Sequence, residues 1–135
     1  MSEGNIALAR KVIDALNRRD FDAWLAFVSP NVVWEALEGL VGMSDVYHGR
    51  AEVREWIERM SQDTEAGIQI AVEEMTDLGD GRVFIGLVLT AHRRGSGVPI
   101  EWRTWQIVSF TDGLITRRQV FWTRAEALRA TALTE

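Results

Sequence analysis

The chain has 135 residues, 47% hydrophobic and 26% charged, a composition typical of one soluble globular domain with its own core. Its formal net charge of -5 argues against nucleic acid and anionic membranes as partners, so we expect a small molecule or another protein instead. With no cysteine and only two isolated histidines, His48 and His92, disulfides, thiol chemistry and a metal site are not expected. We expect no cofactor.

The opening stretch MSEGNIALARKV lacks the apolar core of a signal peptide. No window approaches the ~18 apolar residues of a membrane span. The sequence therefore predicts a cytoplasmic protein that folds as a single domain over residues 1–135.

The first half carries three segments with apolar residues at helical spacing. From Asn5 to Asn17 these residues predict an amphipathic helix. DFDAWLAFV predicts a short second helix that is capped by Asp20 and ended by Ser29-Pro30. A strand at NVVWEAL and a glycine-containing loop from Glu38 to Gly49 follow, and GRAEVREWIERMSQ then predicts a third helix.

The second half changes to the alternating pattern of strands. IQIAVEEM, RVFIGLVLTAHRR, PIEWRTWQIVSF and LITRRQVFW predict four strands, and the glycine-containing turns between them indicate an antiparallel meander. RAEALRATAL predicts a closing helix. Three helices followed by this sheet predict an α+β fold, with the helices on the concave side of a curved sheet.

Three stretches resemble, in order, the nuclear transport factor 2-like superfamily and its SnoaL-like branch: ALNRRDFDAWLAFVSPNVVWEA, YHGRAEVREWIERM and FTDGLITRRQVFWTRAEAL. The best-matching pieces are Asn17 to Asp22, Tyr47 to Val53 and the closing RAEAL. The resemblance implies a cone-shaped domain, three N-terminal helices on a strongly curved, mostly antiparallel sheet, that encloses an apolar pocket and is often dimeric. Members include ketosteroid isomerases, limonene epoxide hydrolases and polyketide cyclases, so fold alone does not settle function.

The resemblance also implies that the best-known catalytic residues of these enzymes are replaced. The base, the tyrosine and the protonated aspartate of the isomerases correspond to Ala36, Val12 and Gln106. The acid, arginine and acid of the epoxide hydrolases correspond to Leu89, Ala91 and Val120, and their tyrosine and asparagine to Trp34 and Ala36. Neither catalytic set is present.

By the same resemblance several tryptophans face the pocket, where aromatic walls suit a flat or cyclic apolar ligand. The predicted ligand-binding residues are Trp24, Trp34, Trp56, Trp102, Gln106, Arg118, Val120 and Trp122. The alternative is that these rings only fill a core. A buried Arg118 should pair with a carboxylate, for which Glu35, Glu38 and Glu74 are the candidates, or hold an acceptor group of the ligand, or extend to the rim.

The candidates for catalytic roles are Arg118, Gln106 and Glu35. Arg118 and Gln106 could stabilise developing negative charge. Glu35 should point away from the pocket, and it would become a general base only if the first strand slipped by one residue. His48 is expected to form a hydrogen bond at the start of the third helix, and His92 to lie at a solvated strand edge.

The turn before the last strand allows two registers. A two-residue loop at Asp112-Gly113 pairs Gln106 with Gln119, whereas a three-residue loop pairs Gln106 with Arg118. The resemblance favours the second register. The concave face then carries Trp102, Thr104, Gln106, Arg118, Val120 and Trp122.

On the convex face this register places Trp105, Ile107 and Phe121. So apolar a face predicts a homodimer through the sheet. We expect the pocket to bind a small hydrophobic, cyclic molecule, with cofactor-independent isomerase, cyclase or hydrolase chemistry if a base is present. The alternatives are a non-catalytic ligand-binding module and, least supported, a dimeric scaffold for another protein.

Overall fold

The structure, a computed structural model, describes residues 2–36, 46–62, 64–93 and 95–133. Four helices lie within these ranges: α1 (Ser2–Asn17), α2 (Phe21–Leu25), α3 (Gly49–Gln62) and α4 (Arg124–Leu133). The six strands are β1 (Val28–Glu35), β2 (Val46–His48), β3 (Thr64–Asp77), β4 (Arg82–Arg93), β5 (Pro99–Thr111) and β6 (Leu114–Phe121). The predicted α+β fold is confirmed. None of the described helices is long and apolar enough to cross a membrane.

The strands form one curled, mixed sheet in the order β2-β1-β6-β5-β4-β3. Successive strands from β3 to β6 pair antiparallel, which confirms the predicted meander. β1 joins the meander by parallel pairing with β6. This pairing places Trp34 of β1 directly beside Arg118 of β6, although the two residues are far apart in the sequence.

Two elements differ from the sequence prediction. α2 ends at Leu25, and Ser29 and Pro30 lie inside β1 instead of ending the helix. Proline is tolerated there because the β1–β6 register shifts between Val28 and Val33, so no regular ladder bond depends on its missing N–H. Residues 46–48, predicted as part of a loop, form β2 against the end of β1, and the remainder of that predicted loop lies outside the described residues.

The turn that follows α1 holds the helices to the sheet. The Asn17 amide donates to the carbonyl of Ile70 at 2.9 Å and accepts from its N–H at 2.7 Å, so it serves as a hydrogen-bonding partner on the free edge of β3. Asp20 caps α2, as predicted, and Asp22 bonds Arg54 of α3 at 2.6 Å. Asn17, Asp20 and Asp22 of this stretch therefore each make a different contact that holds it in place.

The concave face of the sheet is covered by α1, which packs on β3 and β4, and by α3, which packs on β1 and β3. The main apolar core lies between these layers, and Trp24, Val32 and Val53 are among its fully buried side chains. This arrangement confirms the prediction that helices lie over the concave side.

The convex face is covered in part by α4. Ile107 is fully buried there with Phe84 and Ala127, while Trp105 and Phe121 pack around them and stay half-buried. The apolar outer surface that led us to predict a dimer is thus partly covered within the chain itself. A homodimer through this face stays a prediction.

The hairpin between β5 and β6 follows neither predicted register along its whole length. At the turn, Thr111 pairs with Leu114 across the two-residue loop Asp112-Gly113, where both loop residues have positive φ, 52° and 80°. A bulge then shifts the register by one residue, so Gln106 pairs with Val120. The pairings of Gln106 with Gln119 and with Arg118 are therefore both wrong.

Candidate functional site

A cavity of about 80 Å³ lies between the helices and the concave face of the sheet. It has room for several water molecules or for a small organic molecule. Its walls are mostly aliphatic and aromatic, with polar contributions from an arginine and a glutamine of the sheet, a serine of α3 and the arginine that follows α1. The described lining residues are Ala9, Val12, Ile13, Leu16, Arg19, Phe21, Trp34, Trp56, Ile57, Met60, Ser61, Ile68, Ile70, Ile85, Leu87, Leu89, Gln106, Val108, Phe110, Ile115 and Arg118.

The bulge in β6 decides which arginine of the Arg117-Arg118 pair faces this cavity. Ile115 and Arg118 both line it, although an odd separation in a regular strand would put them on opposite faces. The surplus residue is Thr116, because Phe110 pairs with Ile115 while Ser109 pairs with Arg117. The predicted assignment of Gln106, Arg118 and Val120 to one face is therefore correct, but the bulge and not a three-residue loop is its cause.

Arg118 is buried in the wall of the cavity, with only 7% of its surface exposed. Its guanidinium carbon lies 4.6 Å from the ring centre of Trp34 and 5.1 Å from that of Trp56, so the cation rests between two indoles. Burial lowers the pKa of Arg118 to about 9, an effect that the nearby Glu35 carboxylate opposes. The group still carries its charge at neutral pH.

The carboxylates predicted as partners of Arg118 are engaged elsewhere or lie outside the described residues. Glu35 offers Arg118 only its backbone carbonyl, at 2.6 Å, while its carboxylate pairs with Arg117 at 3.3 Å. The carboxylate of Glu74 pairs with Arg124. Glu38 lies outside the described residues. Within the described ranges, no carboxylate neutralises the buried cation directly.

Two indole N–H groups at the cavity lack acceptors. The Nε1 atoms of Trp34 and Trp56 are buried and have no hydrogen-bond partner among the described residues. The two rings are 5.4 Å apart and inclined by 58°. Trp24 Nε1 is also unpaired, but Trp24 does not line the cavity. Because these nitrogen atoms have almost no accessible surface, they do not face the open cavity, and each buried donor without an acceptor costs free energy.

Gln106 adds a neutral amide to the same wall. It is buried, and its Nε2 has one long hydrogen bond, 3.5 Å, to the hydroxyl of Thr104. A bond of this length leaves the amide able to accept a better partner. The polar side chains that line the cavity are thus two guanidinium groups, one amide and one hydroxyl, from Arg118, Arg19, Gln106 and Ser61.

Half of the predicted ligand-binding residues come together at this cavity: Trp34, Trp56, Gln106 and Arg118. The other four do not line it. Trp24 is fully buried in the core behind Trp34, in edge-to-face contact at 5.5 Å. Trp102 packs against the core, and Val120 is buried. Trp122 lies beyond the end of β6 and is 51% exposed.

Two of the three catalytic candidates line the cavity. Arg118 and Gln106 both face the cavity, whereas Glu35 does not line it, as expected for the unslipped register of β1. Val12 and Leu89 line the cavity as apolar wall. His48 is exposed and bonds Glu52 of α3 through its backbone N–H, and His92 is exposed near the end of β4.

Sequence reasoning missed Arg19, which follows α1 and lines the cavity while its side chain is exposed. The sequence places Arg19 just after the end of the predicted first helix, at a position that commonly takes glycine. Ser61 of α3 was also missed.

A curled mixed sheet with helices over an apolar cavity on its concave face is the architecture of the nuclear transport factor 2-like α+β proteins. The model of the SnoaL-like domain matches residues 9–118, and the chain belongs to this family. No match was found among curated proteins.

Solved structures share this fold at low sequence identity. TerC, co-crystallised with polyporic acid, is 20% identical with a TM-score of 0.78, over 93% of this chain and 96% of that chain. A protein of unknown function from Burkholderia pseudomallei K96243 is 23% identical with a TM-score of 0.79, over 93% and 95%. A protein from Xanthomonas campestris pv. campestris, proposed to be a polyketide cyclase, is 21% identical with a TM-score of 0.72, over 95% and 96%. These similarities show the fold.

Proposed function

We propose that this chain binds a small, flat organic molecule in the cavity, with an anionic or strongly accepting oxygen of the ligand held by Arg118. The observation that carries the proposal is the buried cation on the cavity wall. Arg118 is buried against Trp34 and Trp56, and no carboxylate lines the described part of the cavity. An oxygen anion would pair with this cation.

The remaining walls fit an apolar body. Side chains such as Val12, Ile57, Leu87 and Val108 surround the donors with hydrocarbon. Flat rings pack well against apolar and aromatic walls, and burial of apolar surface contributes roughly 25 cal/mol per Å². A cyclic carboxylate, phenolate or enolate combines the two properties.

A buried cation next to an apolar wall should also favour acids strongly over neutral ligands. Binding a ligand without an acceptor would leave the donors unpaired in a closed site. We therefore expect an acid to bind at least about tenfold more tightly than its methyl analogue, since a charge-assisted hydrogen bond contributes about 1.5–3 kcal/mol.

Nuclear magnetic resonance titration tests this directly, because each tryptophan indole N–H gives its own signal. Benzoate and naphthoate are compared with their amides and with toluene and methylnaphthalene. We expect the signals of Trp34 and Trp56, which line the cavity, to shift with the acids, and that of the exposed Trp122 to stay unchanged. Equal affinity for acids and hydrocarbons would refute the proposal.

Two neighbouring arginines provide a matched pair of variants. Arg118→Met removes the buried cation, whereas Arg117→Met removes the same charge from the outer face of the same strand. We expect only Arg118→Met to abolish the preference for acids. Loss of that preference in both variants would indicate a general charge effect instead.

A second candidate is an enzyme that stabilises an enolate during isomerisation or cyclisation, favoured by the presence of both Gln106 and Arg118 in the cavity lining. Proton transfer requires a base, and none of the described lining residues is a carboxylate or a histidine. Deuterium exchange at the α-carbon of bound cyclic ketones distinguishes the two. Exchange that Arg118→Met and Gln106→Leu abolish would favour the enzyme, and binding without exchange favours the ligand-binding module.

A further inference from the structure

Arg19 occupies a backbone conformation that arginine rarely adopts. Its φ is 59°, in the left-handed region. The N–H of Arg19 bonds the carbonyl of Leu16, and the N–H of Asp20 bonds that of Ala15, each at 3.0 Å. This pair of bonds is the Schellman ending of a helix, and Arg19 fills the position where glycine is strongly preferred. Arginine at this position makes the native backbone less favourable than glycine would.

The side chain of Arg19 lies against a second unusual position. A Cβ atom on Gly67 of β3 would be 2.9 Å from Cδ and 3.0 Å from Nε of Arg19. Gly67 has a φ of +78° and lies where the β3–β4 register shifts. A side chain at position 67 would displace the arginine stem, so the glycine in the bulge of β3 lets the Arg19 side chain lie along the cavity edge.

Among the residues whose side chains the structure describes, the Arg19 guanidinium has no hydrogen-bond or ion-pair partner. The nearest acids in the sequence are already engaged, because Arg18 pairs with Asp14 at 2.9 Å and with Asp20 at 3.6 Å. Arg19 is exposed and lines the cavity, which places it where the cavity opens to solvent. The site thus carries one buried cation, Arg118, and one cation at its mouth.

We propose that Arg19 is a specificity residue that binds a second acidic group, so that the preferred ligand is an elongated organic dianion with an apolar middle. One acidic group meets Arg118 inside the cavity, and the other meets Arg19 at the mouth. This inference rests on the function proposed above. It gives a reason for an arginine at a position that the backbone reserves for glycine.

The test compares aromatic mono- and dicarboxylates of increasing length. The pairs are benzoate and terephthalate, then the corresponding naphthalene and biphenyl acids, measured by calorimetry and by the tryptophan signals. We expect the best-fitting dicarboxylate to bind about fivefold more tightly than its monoacid at low salt, with the preference shrinking as salt is added, because the outer contact is exposed.

Arg19→Gly tests the role of Arg19 in binding separately from its effect on the stability of the fold. It should lose the dicarboxylate preference, weaken monoacid binding less than dicarboxylate binding, and melt roughly 2–5 °C higher because the left-handed residue becomes glycine. Arg19→Met should lose the same preference without the thermal gain. Arg18→Met, with the same change in net charge on the adjacent residue, should keep the preference.

Three outcomes would overturn the proposal. They are equal binding of mono- and dicarboxylates by the unaltered protein at every length, equal weakening of both by Arg19→Gly, and a lower melting temperature of Arg19→Gly. The last would make Arg19 a structural residue that packs on Gly67. If no acid binds at all and Arg118→Met changes nothing, the function proposed above has failed. If monoacids bind through Arg118 without a dicarboxylate preference, only the role of Arg19 has failed.

Discussion

The guanidinium carbon of Arg118 lies 4.6 Å from the ring centre of Trp34, and the two residues are direct neighbours across the parallel pairing of β6 with β1. Arg118 also donates to the carbonyl of Glu35, while Arg117 holds the Glu35 carboxylate on the opposite face. One residue at the end of β1 therefore anchors both arginines, on opposite faces of the sheet.

We expect Arg118→Met to leave the folded protein as stable as before or to stabilise it by up to about 3 kcal/mol. The buried cation loses its hydration and has no described carboxylate as a direct partner, so an apolar side chain of similar length suits the site better. Arg117→Met breaks only an exposed pair and should change stability by less than about 1 kcal/mol. Urea unfolding of the three proteins provides the measurement. A strong loss of stability in Arg118→Met would show that the cation holds the fold together.

The stability difference between the unaltered protein and Arg118→Met should depend on pH. Because burial lowers the folded-state pKa of Arg118 to about 9, the unfolded chain binds more protons than the folded one above that pH. The unaltered protein should therefore gain stability relative to the variant as the pH rises above about 9, and the difference should be flat below it. Unfolding of both proteins from about pH 7 to about pH 10.5 checks the sign. A constant difference over that range would contradict it.

Asn17→Asp should destabilise the protein by about 1–3 kcal/mol, since it replaces the amide that donates to the Ile70 carbonyl with an acceptor. The loss should be smaller at acidic pH, where the new carboxyl can donate again. Asn5→Asp adds the same charge in the first half of α1, without a described hydrogen bond to lose, and is the control. Thermal unfolding of both variants should separate them. Equal melting temperatures would show that the contact on the β3 edge contributes nothing.

Gly86→Ala should destabilise the fold by about 1–3 kcal/mol, because a Cβ there would collide with the Trp105 ring, whose Cε3 would be 2.7 Å away. Gly4→Ala places a methyl group where no atom lies within 4 Å and should be neutral or slightly stabilising in α1. Trp105→Leu combined with Gly86→Ala should recover part of the loss, since the smaller side chain makes room. Absence of recovery in this double-mutant comparison would place the cost of Gly86→Ala elsewhere.

The sequence by itself determined the helices, apart from the end of α2, the four long strands and the fold class, because periodicity and turn chemistry are local properties. Its resemblance to the SnoaL-like branch indicated the family and pointed to Arg118, Gln106, Trp34 and Trp56, which do line the cavity. The same resemblance, and not the alternation of residues, indicated the inward face of β5 and β6.

Only the tertiary structure decided how these residues meet. The bulge at Thr116, which turns Arg118 and not Arg117 inward, depends on pairing with β5 and leaves no mark in the alternation of β6. The exposure of Trp122 depends on where β6 ends, and the burial of Ile107 depends on where α4 packs. The path of the Arg19 side chain depends on a glycine in β3, far along the chain. Contacts between distant segments, which no local pattern encodes, set the polarity of the cavity and its opening.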